Sequence, residues 1–241
     1  MTQTLPLTQP LPARARFPLP ILAISIDLDG TLLETAPDLA VAANRMLKEI
    51  GRPPIAVEII KDYVGNGIVR FVKRTLTGGM ESEPDDELFL RALPVFEKHY
   101  AQALSLTTQP YPGVVEGLRA MHAQGFRLTC LTNKASTFSV PLLRDTGLLP
   151  FFEFVVSGDT LPRKKPDPMP LQYSCEKLGV PANNFLLIGD SANDTLAARA
   201  AGCPVFCVPY GYNGGNDVRA LAPDAVIASL TDALPLIVKA A

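Results

Sequence analysis

The first apolar run of the chain ends on a pair of acidic residues. In the stretch AISIDLDGTLLETAPDLA, residues 23–40, Asp27 and Asp29 stand two positions apart and are followed at once by a glycine and a threonine. Two carboxylates at the end of a buried strand repel each other and resist the loss of water. Such a pair is tolerated when it forms a turn through Asx hydrogen bonds, or when a cation lies between its members.

Further polar residues follow later apolar runs in the same way. Thr132 and Asn133 come after one run, in CLTNKAS, and Asp190 comes after the run FLLIG. Asp194 lies four residues further on, and Lys165 lies in RKKPDPMP, just before a predicted helix. Because ligands of open α/β sheets bind at the carboxyl ends of the strands, we expect these residues to meet at one edge.

Such a set suits phosphoryl transfer through a covalent aspartyl phosphate. Three carboxyl groups carry too much negative charge to meet a phosphate dianion unaided, so we predict Mg2+ as cofactor. Asp27 would be the nucleophile, and Asp29 would protonate the leaving alcohol and later take a proton from water. Lys165 would neutralise the nucleophile and the phosphoryl oxygens.

The remaining residues would complete this site. Thr132 would donate a hydrogen bond to the phosphoryl oxygens. Asp190 would bind the metal directly, and Asp194 would steady it from outside the ligand set. Each residue also has an ordinary structural interpretation: Asp190 and Ser191 could simply start a helix, and Lys165 could be an exposed lysine. The joint occurrence in the expected order favours the catalytic interpretation.

The elements that must position these residues alternate along the chain from residue 21. The predicted strands cover residues 21–26, 126–132, 152–157, 185–189, 204–208 and 224–227, and the predicted helices cover 113–124, 136–146, 168–179, 191–201 and 230–238. Most of the strands are too uniformly apolar to be half exposed, which is typical of parallel strands buried on both faces. The pattern predicts an α/β fold with a doubly wound parallel sheet.

One long segment interrupts this alternation. Residues 36–107 contain helical patterns and no convincing strand, and they are too many for a simple crossover. We interpret 36–107 as an inserted helical cap domain, and 21–35 together with 108–241 as the core domain. Residues 1–20 are rich in proline and are expected to be a disordered tail.

Composition limits the class of protein. The 241 residues are 47% hydrophobic with a formal net charge of −2, which argues against nucleic acid or a membrane as the main partner. The four cysteines form no C-x2-C pair and the two histidines stand far from them, so a zinc site is not expected. Reduced cysteines and the lack of a secretory signal suggest the cytoplasm. A monomer and a homodimer are both compatible with the sequence.

Four motifs carry a resemblance to a known family. DLDGTL, LTN, KKPDP and GDSANDTLAA resemble the four motifs of the haloacid dehalogenase superfamily, over essentially the whole chain from residue 21. The resemblance implies a Rossmann-like core, a helical cap and a Mg2+-dependent aspartyl nucleophile. It implies Asp27, Asp190 and the backbone carbonyl of Asp29 as metal ligands. An acid at position 29 also favours phosphate esters, because an alkoxide leaving group needs a proton and a halide does not.

The cap should choose the substrate, since the core contacts mostly the phosphoryl group. APDLAVAANRMLKEIGRPP, YVGNGIVRFVKRTL and VPYGYNGGNDVRALAPDAVIASL resemble the phosphoglycolate phosphatase branch of the superfamily, which implies 2-phosphoglycolate as the small-molecule substrate. Gly65, Asn66 and Gly67 could open a helix whose free N–H groups meet an anion, or could form a simple turn. Arg70 is a candidate partner for the substrate carboxylate, or else a solvated helix residue.

Other interpretations stay open at this point. After DLDGTL the family usually has Asp-Ser or Asp-Thr, whereas this chain has Glu34-Thr35 at the hinge into the cap. The substrate could therefore be another small ester, such as a sugar phosphate or N-acetylmuramate 6-phosphate. A phosphomutase and a non-catalytic binding module are further alternatives, of which the second conflicts with the complete set of catalytic residue types.

Overall fold

A six-stranded parallel sheet forms the centre of the protein, whose structure is a computed structural model describing residues 16–240. In chain order the strands of the described residues are β1 (Leu19–Ile21), β2 (Ala23–Ile26), β3 (Leu33–Glu34), β4 (Gln109–Pro110), β5 (Arg127–Leu131), β6 (Phe154–Val156), β7 (Phe185–Gly189), β8 (Val205–Cys207), β9 (Ala225–Val226) and β10 (Ile237–Lys239). The central sheet has the order β6-β5-β2-β7-β8-β9. The chain runs outward from β2 through β5 to β6, then returns to the other side of β2 at β7.

Helices cover both faces of this sheet because both faces are apolar. The core helices are α5 (Val114–Ala123), α6 (Ser136–Asp145), α7 (Met169–Leu178) and α8 (Ala192–Ala201). Successive residues of β7 alternate between two hydrophobic clusters: Leu186 and Ile188 pack with α5 and α6, and Phe185 and Leu187 pack with α7 and α8. This is the period of two that a strand imposes. The predicted doubly wound α/β fold is confirmed.

The segment between β3 and β4 is helical. It contains α1 (Ala36–Glu49), α2 (Val57–Tyr63), α3 (Ile68–Thr77) and α4 (Asp86–Ala103), which share a hydrophobic cluster that includes Phe71, Phe96 and Tyr100 and extends to Phe138 of α6. The chain enters and leaves this segment through the antiparallel pair β3–β4. The buried Asp38 carboxylate also accepts hydrogen bonds from the backbone N–H groups of Thr107 and Thr108, at 3.0 and 2.9 Å, so the two connections are tied together. We call residues 36–107 the cap.

The two ends of the described chain differ from the sequence-based expectation. Residues 230–238 form no α-helix: a 3-10 segment, Leu230–Leu236, is followed by β10, which pairs in parallel with β1. Pro235 lacks the N–H group that an α-helix needs there. Leu19 and Pro20, assigned above to the tail, therefore belong to an ordered strand. Residues 1–15 of the predicted tail lie outside the described residues.

All four cysteines are free thiols, and those at positions 130, 203 and 207 are buried. Within residues 16–240, no helix has both the length and the apolar composition that a bilayer-spanning segment requires.

Candidate active site

The strand order places the two aspartate motifs side by side. β2 lies between β5 and β7, with Ile26 in register with Cys130 on one side and Ile188 on the other. Asp27 continues this pairing, since its N–H group donates to the carbonyl oxygen of Ile188 at 2.9 Å. Asp27 and Asp190 thus emerge from neighbouring strands at the point where the chain reverses direction across the sheet. This is the crevice where open α/β sheets bind ligands.

Lys165 lies at the centre of the acidic residues. Its Nζ donates to Asp27 Oδ1 at 2.6 Å, to Asp194 Oδ1 at 2.7 Å and to the carbonyl oxygen of Leu131 at 2.8 Å. These contacts use all three ammonium hydrogens. Burial acts to lower the pKa of Lys165, but the neighbouring Asp194 and Asp27 outweigh it and the pKa is raised. Lys165 is therefore a buried cation.

Three carboxylates surround a possible cation site. Asp27, Asp190 and Asp194 each offer an oxygen, and these oxygens lie within 4.8 Å of one another. Burial, with the charge of Asp194, raises the pKa of Asp27 to about 7 against the opposing effect of Lys165. Burial and the charges of Asp27 and Asp194 also raise the pKa of Asp190. One lysine does not balance three buried carboxylates, so the all-oxygen set fits a hard divalent cation.

Asp194 faces the protein rather than the pocket. Its Oδ2 accepts hydrogen bonds from the hydroxyl and the N–H group of Ser191, at 2.6 and 3.1 Å, which forms the capping box of α8. Its other oxygen is bound to Lys165. Of the three carboxylates, only Asp27 and Asp190 line the pocket. Asp194 therefore positions Lys165 and the Asp190–Ser191 turn.

The Asp190 carboxylate is closely surrounded by backbone and side-chain atoms. Its Oδ2 accepts the N–H group of Tyr212, and Thr31 Oγ1 lies 3.4 Å from its Oδ1. Gly30 has φ of +86° and packs against this carboxylate so closely that a Cβ atom there would overlap Asp190 Oδ2. The same holds for Gly211. The glycine of DLDGTL is thus required by the approach of Asp190 as well as by its own backbone conformation.

Asp29 has two partners that the sequence-based prediction did not include in the site. Lys134 Nζ lies 2.8 Å from its Oδ1 and 3.1 Å from its Oδ2, and the Thr35 hydroxyl donates to Oδ1 at 2.6 Å. The N–H group of Thr35 in turn donates to the Tyr212 hydroxyl at 2.7 Å. Thr35, at the hinge into the cap, therefore contacts Asp29 directly. The neighbouring Glu34 is partly exposed, and its Oε1 lies 3.6 Å from Lys61 Nζ.

Sequence signals existed for some of these partners. Lys134 directly follows the predicted Thr132-Asn133 pair, and Tyr212 lies in the late stretch VPYGYNGG. Asn193, which also lines the pocket, lies inside the GDSANDTLAA motif. Lys134 and Asn193 each adjoin a predicted site residue, whereas Tyr212 is distant in sequence and reaches Asp190 only through the fold.

Thr132 and Asn133 have different environments. Thr132 Oγ1 accepts the N–H group of Lys134 at 3.1 Å, which leaves its own hydrogen available to a ligand in the pocket. The Nδ2 of Asn133 donates to the carbonyl oxygens of Gly65 at 2.8 Å and Lys165 at 2.9 Å, whereas its buried Oδ1 accepts no hydrogen bond from the described residues. Asn133 lines the pocket, so a contact with substrate stays a prediction; one of its amide hydrogens joins the core to the cap at Gly65, and the other fixes the Lys165 backbone.

The loop of residues 65–67 lies on the core, and we call it the cap loop. Gly65 and Gly67 line the pocket, and Asn66 contacts the core through its carbonyl oxygen, which accepts Lys164 Nζ at 2.6 Å. α3 begins after Gly67, whose φ is +80°. The predicted glycine-rich entry to a helix is therefore present beside the pocket. The cap also contributes apolar side chains to the lining, namely Leu39, Val64, Ile68 and Phe71.

Arg70 does not reach the pocket, contrary to the prediction that it meets the substrate carboxylate. Its guanidinium donates to Glu83 Oε1 and Glu81 Oε2, both at 2.6 Å, on the outer side of the cap. Ile68 and Phe71 are the α3 residues that line the pocket. A residue two positions after Ile68 points to a different side of the helix, so Arg70 is turned away.

Comparisons with known proteins agree with this geometry. The model of the haloacid dehalogenase-like hydrolases matches residues 21–202. Phosphoglycolate phosphatases of Thiobacillus denitrificans and Nitrosospira multiformis are 58% and 57% identical to this chain, over 93% and 92% of it and over 99% and 98% of their own lengths. The crystal structure of a predicted phosphoglycolate phosphatase from Haemophilus somnus is 34% identical, with a TM-score of 0.84 over 89% of this chain and 96% of that one. The resemblance found in the four motifs is confirmed: the chain belongs to the haloacid dehalogenase-like hydrolase family.

Proposed function

We propose that this protein is a phosphatase that hydrolyses 2-phosphoglycolate to glycolate and inorganic phosphate with Mg2+ as cofactor. Its relatives at 58% and 57% identity carry the name phosphoglycolate phosphatase. The observation that carries the chemistry is the buried Asp27, which lines the pocket and whose Oδ1 is bound to Lys165 at 2.6 Å. An oriented carboxylate beside a buried cation suits nucleophilic attack on phosphorus.

Asp27 and Asp190, with the backbone carbonyl of Asp29, would hold the metal. When bound, Mg2+ would offset the charge of the carboxylates and of the phosphoryl oxygens. Tyr212 and Gly30 support this arrangement, since they fix the Asp190 carboxylate on the pocket side of the sheet edge.

The side chains divide the reaction into two displacements. Asp27 attacks phosphorus, the bond from phosphorus to the ester oxygen breaks, and Asp29 as general acid gives a proton to that oxygen, which releases glycolate. Asp29 then accepts a proton from a water molecule that attacks the aspartyl phosphate, and this step releases phosphate and regenerates Asp27. Lys165 holds Asp27 in place throughout and stabilises negative charge on the phosphoryl oxygens.

The cap supports both steps by limiting the access of bulk water. Its apolar residues Leu39, Val64, Ile68 and Phe71 face the carboxylates across the pocket. The cap loop is joined to the core by hydrogen bonds from Asn133, Lys164 and Asn193 to the carbonyl oxygens of Gly65 and Asn66. An enclosed, weakly polar environment strengthens the electrostatic interactions between the charged residues of the pocket.

Phosphate release from a panel of esters tests this proposal. We expect kcat/KM to be highest for 2-phosphoglycolate, and activity to disappear with EDTA and return with Mg2+. Equal or higher values for sugar phosphates or N-acetylmuramate 6-phosphate would contradict the substrate assignment. Transfer of phosphate within a sugar bisphosphate, without free phosphate, would show a phosphomutase instead.

The proposal extends to the setting of the enzyme. We assign it to the cytoplasm, where the free thiols at positions 130, 203 and 207 stay reduced. With a net charge of −2 it has no general attraction for nucleic acid. Size-exclusion chromatography with light scattering distinguishes the monomer from the homodimer.

Replacement of Asp190 by asparagine should raise the Mg2+ concentration that gives half-maximal activity by at least about 10-fold. Asparagine keeps the shape that fits beside Gly30 and can still accept the Tyr212 N–H group, so the fold is preserved. The measurement is a Mg2+ titration of phosphate release. Asp217→Asn, an exposed matched change, should leave the titration unaltered; an unaltered titration for Asp190→Asn would remove Asp190 from the metal ligands.

Replacement of Arg70 by alanine should change kcat/KM for 2-phosphoglycolate by less than about 2-fold, because its charge is paired with Glu81 and Glu83 on the outer side of the cap. The same small effect is expected with p-nitrophenyl phosphate. Steady-state kinetics on both esters provides the check. A selective loss on 2-phosphoglycolate would show that Arg70 turns into the pocket during turnover.

A further inference from the structure

We propose that Lys134 binds the carboxylate of the substrate and selects a carboxylated phosphate ester over an uncharged one. This inference rests on the proposed function, because it names the residue that binds the glycolate group of 2-phosphoglycolate. Lys134 directly follows Asn133 at the end of β5, and its side chain lines the pocket.

The number of basic residues in the pocket favours Lys134. Of the described side chains that line the pocket, only Lys134 and Lys165 are basic. The three hydrogens of Lys165 are engaged by Asp27, Asp194 and the carbonyl oxygen of Leu131. Arg70 lies outside the pocket, bound to Glu81 and Glu83. Lys134 is therefore the cation that remains for a second anionic group of the ligand.

The surroundings of Lys134 keep it charged and leave it a free hydrogen. Its side chain is only 3% exposed, and its Nζ contacts the two oxygens of a single carboxylate, Asp29, at 2.8 and 3.1 Å. The ammonium also lies 5.0 Å from the centre of the Tyr100 ring, which belongs to α4 of the cap. Burial acts to lower the pKa of Lys134, but Asp29 and Tyr100 outweigh it and raise the pKa. An ammonium has three hydrogens, so it can share Asp29 with a second carboxylate.

The geometry of the substrate matches this position. In the proposed reaction Asp29 gives its proton to the ester oxygen, and in 2-phosphoglycolate a single methylene group separates that oxygen from the carboxylate carbon. A cation in contact with Asp29 therefore lies beside the place where the carboxylate must be. The flexible stem of lysine lets the ammonium adjust to it.

The cap makes such a partner necessary. Leu39, Val64, Ile68 and Phe71 form the cap side of the lining and carry no charge. A carboxylate enclosed against apolar side chains without a cation would lose its hydration and gain nothing in return. A buried ion pair with Lys134 compensates the carboxylate for its lost hydration. When the ester has no carboxylate, the ammonium contacts Asp29 alone.

Lys134→Met tests the proposal through a ratio of two substrates. We expect kcat/KM for 2-phosphoglycolate to fall about 10- to 100-fold more than kcat/KM for ethyl phosphate, which has a methyl group in place of the carboxylate. Lys134→Arg should retain part of the preference, and Lys98→Met, on an exposed face of α4, should retain all of it. The inhibition constant of glycolate should rise in Lys134→Met by a similar factor.

The ratio stays informative if Lys134→Met is less stable, because both substrates are measured on one preparation and the folded fraction cancels. Equal losses on the two substrates would mean that Lys134 only positions Asp29, and would overturn the inference. If wild-type enzyme prefers 2-phosphoglycolate and Lys134→Met keeps that preference, the inference fails while the proposed function stands. If wild-type enzyme shows no preference over ethyl phosphate, the proposed substrate fails, and the inference fails with it.

Discussion

Replacing Asp27 by asparagine is expected to lower kcat for phosphate release by at least about 10⁴-fold. The amide oxygen is a poor nucleophile, so the covalent step is lost. Asparagine has nearly the volume of aspartate, and its oxygen can still accept the hydrogen bond from Lys165 that Asp27 Oδ1 accepts at 2.6 Å. The fold should therefore survive the change, and the loss should lie in kcat.

Two measurements separate this chemical role from a structural one. Acid quenching of wild-type enzyme during turnover of labelled substrate should trap label on the protein, and Asp27→Asn should trap none. Asp62→Asn, an exposed change on α2, is the matched control and should keep activity within about 2-fold. Residual activity above about 1% in Asp27→Asn, free of wild-type contamination, would rule out covalent catalysis through Asp27.

Replacing Lys165 by methionine is expected to affect both stability and rate. The Nζ joins Asp27 and Asp194 at 2.6 and 2.7 Å in a site where the lysine is 2% exposed. Its removal leaves two buried carboxylates without their cation, which should lower the free energy of unfolding by about 3–5 kcal/mol. The loss of charge beside the phosphoryl oxygens should lower kcat by about 10²- to 10³-fold.

Urea denaturation and steady-state kinetics measure the two effects. Lys48→Met, which removes an exposed lysine of α1, should change the unfolding free energy by less than about 0.5 kcal/mol. In the double variant Lys165→Met with Asp194→Asn, one of the uncompensated charges is removed, so part of the stability should return while kcat stays low. A Lys165→Met variant with unchanged stability would contradict the buried ion cluster, and one with unchanged kcat would contradict its electrostatic role.

Local patterns of the chain were sufficient to identify the core of the site. Asp27, Asp190 and Thr132 each directly follow an apolar run, and parallel pairing brings the ends of such runs together at one edge. The order of strands across the sheet was not predictable in the same way. It depends on which side of β2 each later strand occupies, and that choice is made by packing between segments far apart in the chain.

The two basic residues Arg70 and Lys134 show the limit of local reasoning. Arg70 follows a glycine-rich turn, which is typical of an anion site, but α3 packs so that Ile68 and Phe71 rather than Arg70 line the pocket. Lys134 has an ordinary sequence context, and it is buried because Tyr100, from a helix of the cap, covers it. In both cases long-range contacts decide whether a cation meets water or the pocket.

The end of the chain illustrates the same distinction. Residues 230–238 have a helical pattern, yet Ile237–Lys239 form a strand because β1 offers backbone partners 218 positions earlier in the sequence. By itself, then, the sequence determined the fold class and placed the carboxylates of Asp27, Asp190 and Asp194 and the central lysine at one site, because strand ends and motif spacing are local properties. Only the tertiary structure decided that Lys134 rather than Arg70 faces the pocket, because the burial and direction of a charged side chain depend on residues distant in the chain.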